Sequence, residues 1–358
     1  MKRSTLFIVA AGSGGHMLPA LQCARTWLAD NPGGWVEFFT GTSALEQKIV
    51  ADKPFITTVH HMAMGKFSLR RWWLLPIIAL QALRIFCQAF YYALRLKPDV
   101  VISTGGLLSV PVCIAARLAR RRVEVYELNL VPGKAVSTLM PFANVIHIVF
   151  PQTRAYCHWR WKDFAAKCHD AAYPIRFTQA DRNVDKATII DTINQTLHNR
   201  GLEPAFATDR KTLFVLGGSQ GSVLLNTLTK KLIESHAELA AKIQVIHQTG
   251  PFDETSWVGW YQEQQVPALT FSYDERINQF YVLADLIVCR AGAGTMFEIA
   301  FFKRPCVVIP LVAATTGHQV HNALAMAELH PHLFHVLKQD DVVANNGPFF
   351  TMVEQLLQ

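Results

Sequence analysis

The sequence lacks the paired cysteines that a disulfide framework or a zinc site would need. Its seven cysteines are odd in number, widely spaced and never arranged as Cys-x-x-Cys, so we expect reduced thiols in a cytosolic protein and no bound metal. It also lacks low-complexity tracts, and its first apolar run is too short for a secretory leader. A globular chain of 358 residues is indicated, enough for one large or two ordinary domains.

Acidic residues are missing from one long segment. No Asp or Glu occurs between Lys53 and Pro98. In a chain of net charge +7, basic residues mixed with large apolar ones favour an anionic membrane surface as partner, and no feature favours nucleic acid. The basic residues of this segment are Lys53, Lys66, Arg70, Arg71, Arg84, Arg95 and Lys97.

What the chain does contain is short apolar runs that alternate with helical patterns. This alternation predicts parallel sheets covered on both faces, which is the α/β class. A polar stretch at 177–210 separates the two halves, and we predict two Rossmann-like domains facing across a cleft, 1–176 and 177–347, with a possible terminal helix at 348–358 that packs back towards the first domain. The expected strands are 6–11, 36–40, 56–59, 99–103, 123–127, 145–149, 212–216, 243–248, 269–271, 286–290 and 306–309.

Each half opens with a strand, a glycine turn and a helix. The turns are Gly12-Ser13-Gly14-Gly15-His16 and Gly217-Gly218-Ser219-Gln220-Gly221-Ser222. Glycines allow a ligand to approach the backbone, and the N-terminus of the following helix favours an anion such as phosphate. Ligands of parallel sheets bind at the carboxyl ends of the strands, where both turns are expected.

The segment Leu69–Leu96 is apolar and long enough to cross a bilayer. Its polar residues Gln81, Arg84, Gln88 and Arg95 fall on one helical stripe, and a lone span would bury Arg84 near its centre at high cost. Three interpretations stay open: a spanning helix, a core helix of the first domain, and a helix lying on a membrane surface. For the last, the residues expected at the lipid headgroups are Lys66, Arg70, Arg71, Trp72 and Trp73.

Seven motifs occur in a fixed order between about residues 5 and 330. Three of them are specific in combination: the Gly-Ser-Gln-Gly turn, Cys289-Arg290-x-Gly292 and His318-Gln319-x-x-Asn322-Ala323. The other four are the first glycine turn, Gly105-Gly106, Glu127-x-Asn129-x-x-Pro132-Gly133 and His247-Gln248-Thr249-Gly250. This series of motifs resembles the MurG family of glycosyltransferases.

The resemblance implies a GT-B fold and an inverting transfer of N-acetylglucosamine. The donor would be UDP-N-acetylglucosamine and the acceptor lipid I, the polyprenyl-diphosphate-linked muramyl-pentapeptide. The product would be lipid II, made at the cytoplasmic face of the bacterial inner membrane by a peripheral protein of peptidoglycan synthesis, and hence of cell shape and division. No cofactor or metal is expected, since Arg176 and helix termini could carry the charge of the leaving diphosphate.

Residue roles follow from the motifs and the resemblance together. His16 is the expected catalytic base, because a histidine titrates near neutrality. Structural alternatives stay open: His16 could brace its turn, Glu127 could close a loop, and Arg290 is expected to be structural. The expected acceptor-binding residues are Ser13, Gly14, Gly15, Gly105, Gly106, Glu127 and Asn129. The expected donor-binding residues are Arg176, Ser219, Gln220, Gly221, Ala293, Gly294, Thr295, Glu298, Gln319 and Asn322.

Other functions stay open at this point. Leu107, Val136 and Tyr173 stand where the family usually has other residues, which leaves room for a GT-B enzyme with another membrane lipid acceptor. A non-catalytic relative that only binds a nucleotide sugar is a further possibility. An epimerase or NAD enzyme is disfavoured, because the first turn lacks the dinucleotide spacing and no acidic residue follows the second strand at Thr40.

Overall fold

A computed structural model of the protein describes residues 3–65, 73–159, 162–218, 221–251, 256–312 and 317–358. The chain divides into two compact units, Met1–Arg176 and Phe177–Gln358. Each unit contains a large parallel sheet, which confirms the predicted α/β class.

The first unit is built on a seven-stranded sheet in the order β3-β2-β1-β4-β5-β6-β9. All six strand pairs are parallel. A short antiparallel pair, β7 with β8, lies outside it. The elements are β1 (Thr5–Ala10), α1 (Gly14–Asp30), β2 (Trp35–Thr40), α2 (Ala44–Val50), β3 (Thr58–His61), α3 (Leu75–Leu96), β4 (Val100–Gly105), α4 (Ser109–Leu118), β5 (Arg122–Glu127), α5 (Lys134–Leu139), β6 (Val145–Ile148), β7 (His158–Trp159), β8 (Lys162–Asp163) and β9 (Cys168–Asp170).

Strand β1 is buried on both faces, which explains its continuous apolar sequence. Leu6 and Ile8 pack with α1 on one face of the sheet, whereas Phe7 and Val9 pack with α3 and α4 on the other. Successive side chains of a strand point to opposite faces, so an unbroken apolar run is what a strand between two helical layers requires. With both faces covered, only the ends of the strands remain for a ligand.

The order of the strands reverses between β1 and β4. The chain runs outward from β1 to β3 on one side and from β4 to β9 on the other, so the loops after β1 and β4 separate in opposite directions and leave a crevice at the carboxyl edge. At this switch point Gly106, with φ +94°, approaches the backbone of Ala11 so closely that a Cβ would lie 3.0 Å from the Ala11 carbonyl carbon. Gly106 therefore joins the two glycine turns by backbone contact.

Helix α3 is attached to the first unit by a narrow stripe. Its buried residues are Ile85, Ala89 and Ala93, which repeat every four residues and lie on one face. Leu80 and Leu83 on the opposite side are 68% and 58% exposed. Within the described residues, α3 is the one helix long and apolar enough to cross a membrane by length and composition. Phe86, Phe90, Tyr92 and Leu96 flank this stripe and pack partly buried against the same core. The core-helix interpretation thus holds for one side of α3, whereas the leucines on its other side are exposed.

The second unit repeats the design with a six-stranded parallel sheet in the order β12-β11-β10-β13-β14-β15. Its switch point lies between β10 and β13. The elements are α6 (Gln179–Arg182), α7 (Lys186–His198), β10 (Lys211–Leu216), α8 (Val223–Ser235), α9 (Ala237–Ala240), β11 (Ile243–Gln248), α10 (Trp257–Glu263), β12 (Ala268–Phe271), α11 (Ile277–Leu283), β13 (Leu286–Cys289), α12 (Ala293–Phe302), β14 (Cys306–Val308), α13 (His318–Leu329), β15 (Phe334–Val336), α14 (Gln339–Ala344) and α15 (Gly347–Leu357).

The terminal helix α15 has its apolar side inside this second unit. Phe349, Val353 and Leu357 are buried in the same core as Leu213 and Val215 of β10. Their spacing of four places them on one helical stripe, and burial of three large apolar side chains stabilises the attachment of α15.

Four strands were not predicted, namely β7, β8, β9 and β15, and one lies away from its expected range. Strand β3 pairs with β2 over Thr58–His61, where 56–59 was expected. Strands β9 and β15 are only three residues long, and β9 ends on the polar pair His169-Asp170 at the edge of its sheet. An edge strand needs no apolar run, so the hydrophobic pattern gives no signal for it.

A single methyl group at Gly106 should destabilise the first unit. Gly106→Ala would force both a positive φ and a clash with Ala11, and we expect a loss of more than about 2 kcal/mol in the free energy of unfolding. Gly133→Ala is the matched control, because Gly133 has φ −65° and open space around its Cβ position. Urea unfolding of the two variants checks this, and equal stabilities would contradict the close-contact argument.

Candidate active site

The first glycine turn lies at the switch point of the first unit, directly after β1. Gly12 has φ +101°, a conformation that favours glycine, and helix α1 begins at Gly14. No heavy atom of the described residues comes within 4 Å of the place that a Cβ of Gly14 would take. The backbone at Gly14 and Gly15 is thus open at the start of a 17-residue helix, which suits the approach of an anion.

His16 is held in one orientation by the turn after β4. Its Nδ1 lies 2.8 Å from the carbonyl oxygen of Thr104, and the Thr104 hydroxyl donates to the carbonyl of His16 at 2.8 Å. A carbonyl oxygen only accepts, so Nδ1 carries the proton and, in the neutral ring, Nε2 carries the lone pair. The tautomer is therefore the one that a base acting through Nε2 requires.

Gly105 completes this arrangement by its lack of a side chain. With φ +112°, a Cβ on Gly105 would lie 2.9 Å from two atoms of the His16 ring. Any larger residue would push the imidazole away from the Thr104 carbonyl. The expected residues His16, Gly105 and Gly106 are thus brought together at one place in the first unit.

Glu127 closes the loop after β5. It is 2% exposed; Oε1 accepts the backbone N–H of Asn129 at 2.9 Å and Oε2 accepts that of Gly133 at 2.9 Å. The Asn129 side chain also donates to Oε1 at 3.2 Å. These contacts are the ones expected if Glu127 closes the loop, which is the structural alternative. Direct contact of Glu127 and Asn129 with an acceptor stays a prediction.

In the second unit, the glycine turn after β10 is packed against the end of β11. Gly221 has φ +73° and lies against the backbone of Thr249 and Gly250. A Cβ on Gly221 would lie 2.7 Å from the Cα of Gly250. Ser219 and Gln220, the side chains expected to bind the donor diphosphate, lie outside the described residues. The described part of the turn is followed by the N-terminus of α8, capped by the Ser222 hydroxyl at 3.4 Å from the Leu225 N–H.

A buried polar chain supports this second turn. His247 is fully buried, with Nδ1 2.9 Å from the Tyr261 hydroxyl and Nε2 2.9 Å from Oδ1 of Asn226. Asn226 Nδ2 then donates to the carbonyl of Thr249 at 3.0 Å. Because Oδ1 only accepts, Nε2 carries the proton, and in the neutral ring the tyrosine hydroxyl donates to Nδ1. His247, part of a motif without an assigned role, thus fixes the backbone against which Gly221 packs.

Arg290 links the ends of two neighbouring strands. Its Nε donates to the Ser222 hydroxyl at 2.9 Å, and its Nη1 donates to the Ile309 carbonyl at 3.0 Å and to Gln339 at 2.9 Å. Burial lowers the pKa of Arg290 from its ordinary value. These hydrogen bonds agree with the structural role that the sequence predicts for Arg290.

The remaining donor-side predictions fall on α12, α13 and the end of the first unit. Ala293, Gly294 and Thr295 form the first turn of α12, and Glu298 further along it accepts a hydrogen bond from the Tyr281 hydroxyl at 2.9 Å.

Gln319 and Asn322 both lie on α13. Gln319 accepts the N–H of Leu311 at 3.0 Å, and Asn322 is fully buried. Arg176 is the last residue of the first unit. Direct donor contact stays a prediction for all of these residues.

The residues expected at a membrane are only partly covered by the structure. Trp73 is 59% exposed, next to the start of α3. Lys66, Arg70, Arg71 and Trp72 lie outside the described residues.

Two residues that hold the first glycine turn were missed by sequence reasoning. Thr104 acts through its backbone carbonyl, which carries no sequence signal. Glu46 accepts the N–H of Gly12 at 2.7 Å, and the pattern Ser43-x-x-Glu46 could have indicated a helix cap but not a contact 34 residues away.

Comparison with protein-family models matches both units. Residues 6–148 match the glycosyltransferase family 28 N-terminal domain, and residues 212–340 match the glycosyltransferase family 28 C-terminal domain. The chain belongs to glycosyltransferase family 28. The two matched ranges contain both glycine turns, His16 and Glu298.

Curated relatives within this family extend the match over most of the chain. A protein of Pseudomonas fluorescens (strain Pf0-1) is 32% identical over 89% of this chain and 81% of its own length. One of Anaeromyxobacter sp. (strain K) is 29% identical over 90% of this chain and 78% of its own length. Both carry the name UDP-N-acetylglucosamine--N-acetylmuramyl-(pentapeptide) pyrophosphoryl-undecaprenol N-acetylglucosamine transferase.

A solved structure of Acinetobacter baumannii MurG covers 99% of this chain and 92% of that chain, with a TM-score of 0.68 at 22% identity. This similarity confirms the expected GT-B fold, and the resemblance to the MurG family is confirmed by the relatives and the two domain matches.

The buried carboxyl of Glu127 should make stability depend on pH. Burial raises its pKa from 4.5 to about 7, against a smaller lowering by hydrogen bonds from Asn129 and Gly133. The folded state then holds more protons than the unfolded state between these values, so stability falls as pH rises, by up to about 3 kcal/mol.

Unfolding free energies of wild type and Glu127→Gln at several pH values between 4.5 and 8 test this. The amide of Gln places a donor where Glu127 has an acceptor, which lowers the free energy of unfolding by an amount that does not depend on pH. The readout is therefore the slope of the unfolding free energy against pH. Parallel curves for the two proteins would show that Glu127 is ionised throughout.

Proposed function

We propose that this chain transfers N-acetylglucosamine from UDP-N-acetylglucosamine to the muramyl-pentapeptide carried on pyrophosphoryl-undecaprenol. The observation that carries the proposal is the match to relatives named for this activity, at 27–32% identity over about nine-tenths of the chain and across both units. The geometry around His16 supports it independently, because it supplies a base at an anion-suited turn. A transfer to another lipid acceptor, or a role without catalysis, is not favoured by these relatives.

In the proposed reaction His16 is the general base. Its Nε2 takes the proton of the acceptor hydroxyl as that oxygen attacks the anomeric carbon and the bond to UDP breaks, which inverts the configuration. The Nδ1–H remains on the Thr104 carbonyl throughout. The acceptor diphosphate would lie against the open backbone of Gly14 and Gly15, where the helix N-terminus stabilises negative charge.

The donor would be held by the loops at the switch point of the second unit. Backbone N–H groups near Gly221 and the N-terminus of α8 suit the diphosphate that leaves. A carboxylate has two acceptor oxygens, so we propose that Glu298 binds the ribose hydroxyls while Gln319 contacts the sugar. Asn322 is fully buried, so its predicted contact with the sugar is not part of the proposal. Ser219, Gln220 and the guanidinium of Arg176 complete the proposed phosphate contacts, and no cofactor or metal is part of the proposal.

Loss of the His16 imidazole should remove catalysis and leave donor binding intact. For His16→Ala we expect kcat to fall about 10²- to 10⁴-fold, the range for a general base. Transfer of labelled N-acetylglucosamine to lipid I measures kcat, and calorimetry with UDP-N-acetylglucosamine measures binding.

His198→Ala, an exposed histidine at the end of α7, is the matched control and should retain wild-type turnover. Wild-type protein that binds donor without any transfer to lipid I would contradict the proposed acceptor. Full activity of His16→Ala would contradict the proposed base.

We further propose that the outward face of α3 rests on the cytoplasmic surface of the bacterial inner membrane, as a peripheral attachment. Leu80, Leu83 and Leu94 are exposed on the side opposite the buried stripe, and the segment 53–98 contains no acidic side chain. Large apolar side chains beside basic ones suit a layer of anionic headgroups. An acceptor carried on undecaprenol would be reached from this surface during cell wall growth, which determines cell shape and division.

Polar substitutions on this face should weaken membrane binding. Leu80→Gln with Leu83→Gln removes two exposed leucines, and we expect binding to vesicles of phosphatidylethanolamine and phosphatidylglycerol to fall about tenfold or more. Leu118→Gln, at an exposed leucine of α4, is the control and should bind normally. Vesicle co-sedimentation measures the effect, and unchanged binding of the double variant would contradict the proposed attachment.

A further inference from the structure

The first glycine turn is anchored at both of its ends. At one end the Gly12 N–H donates to Oε1 of Glu46 at 2.7 Å. At the other, Nδ1 of His16 donates to the Thr104 carbonyl at 2.8 Å. Between them lie Ser13, Gly14 and Gly15, the residues of this turn expected to receive the acceptor.

Glu46 is a buried carboxylate with a full set of hydrogen-bond donors. It is 5% exposed, and Oε2 accepts the Ser43 N–H at 2.9 Å and the Ser43 hydroxyl. Burial acts to raise the pKa of Glu46, but hydrogen bonds from Ser43, Gly12 and Gly41 outweigh it and leave the pKa below its ordinary value. The side chain is thus an anion at neutral pH, and among the described residues its oxygens accept from the Gly12 N–H, the Ser43 N–H and the Ser43 hydroxyl.

The chain leaves room for this carboxylate at Gly41. A Cβ on Gly41 would lie 2.5 Å from both oxygens of Glu46, so the end of β2 must carry a glycine for the side chain to reach Gly12. Helix α2 supplies Glu46 from its first turn. The contact therefore depends on the β2–α2 connection as a whole.

A negative charge on Glu46, next to a turn that is expected to bind an anion, should weaken the binding of that anion, since like charges repel. Helix capping alone does not require the contact with Gly12, because Oε2 makes the capping bonds and Oε1 reaches Gly12. The Gly12 N–H is thereby used inside the protein, and the turn presents the N–H groups of the first residues of α1 to a ligand.

We propose that Glu46 is a positioning residue for the glycine turn. It holds Gly12 while Thr104 holds His16, so that the backbone from Ser13 to Gly15 is fixed where the acceptor binds. This inference rests on the proposed function, which assigns the turn to the acceptor.

The test separates positioning from stability with two variants of the same helix cap. Glu46→Ala removes both the cap and the Gly12 anchor, whereas Ser43→Ala removes the hydroxyl of the cap and keeps the Gly12 anchor. Both should lower the melting temperature. We expect Glu46→Ala to lose about 10- to 100-fold in kcat/KM for lipid I, with KM for UDP-N-acetylglucosamine changed by less than about twofold.

Ser43→Ala should keep acceptor kinetics within about threefold of wild type. Glu46→Gln keeps an acceptor oxygen for Gly12 and should recover most of the acceptor kinetics. Equal activity losses in Ser43→Ala and Glu46→Ala, or wild-type kinetics in Glu46→Ala, would overturn the inference.

Amide hydrogen exchange provides a readout that does not depend on the reaction. The Gly12 N–H should exchange faster in Glu46→Ala but not in Ser43→Ala. Unchanged exchange in Glu46→Ala would contradict the claim that Glu46 holds Gly12. If wild type transfers nothing to lipid I, the proposed function fails and the exchange data still decide whether Glu46 holds the turn.

Discussion

Loops that leave a buried parallel strand must satisfy their backbone hydrogen bonds without a neighbouring strand, and in this protein buried side chains do so. Glu46 accepts from Gly12, Glu127 accepts from Asn129 and Gly133, and Asn226 donates to Thr249. An unsatisfied buried N–H or carbonyl costs about 1–3 kcal/mol, so these contacts favour one conformation for each loop. The open backbone at Gly14 can be offered to a ligand because the turn is held at Gly12 and His16.

This constraint explains why the two units share a design without sharing a sequence. In each, burial of the sheet on both faces leaves the carboxyl edge as the place for a ligand, and the reversal of strand order opens it there. The side chains that hold the loops differ: the carboxyl groups of glutamates in the first unit, and an amide supported by a buried histidine in the second. The common element is a strand, a glycine turn and a helix N-terminus, and the supporting residues are specific to each unit.

Much of the fold could be predicted from the sequence because its signals are local. The apolar run at Leu6–Val9 and the glycines that follow describe a strand and a turn within a dozen residues, and the family motifs led to the GT-B fold. The support of the turns could not be predicted in this way, since Glu46 lies 34 residues from Gly12 and Thr104 lies 88 residues from His16. Helix α3 was ambiguous for another reason: composition does not reveal which face packs, and the buried stripe consists of one isoleucine and two alanines.

The partner of His16 Nδ1 is a peptide carbonyl, which carries no net charge. A carboxylate in that position would stabilise the imidazolium and retain the proton, as an ion pair does. A carbonyl fixes the ring through its dipole and without a net charge. In the proposed reaction the proton that Nε2 takes from the acceptor must leave the ring, to water or to the departing product, before the next cycle, which makes recovery of the base an inherent part of turnover.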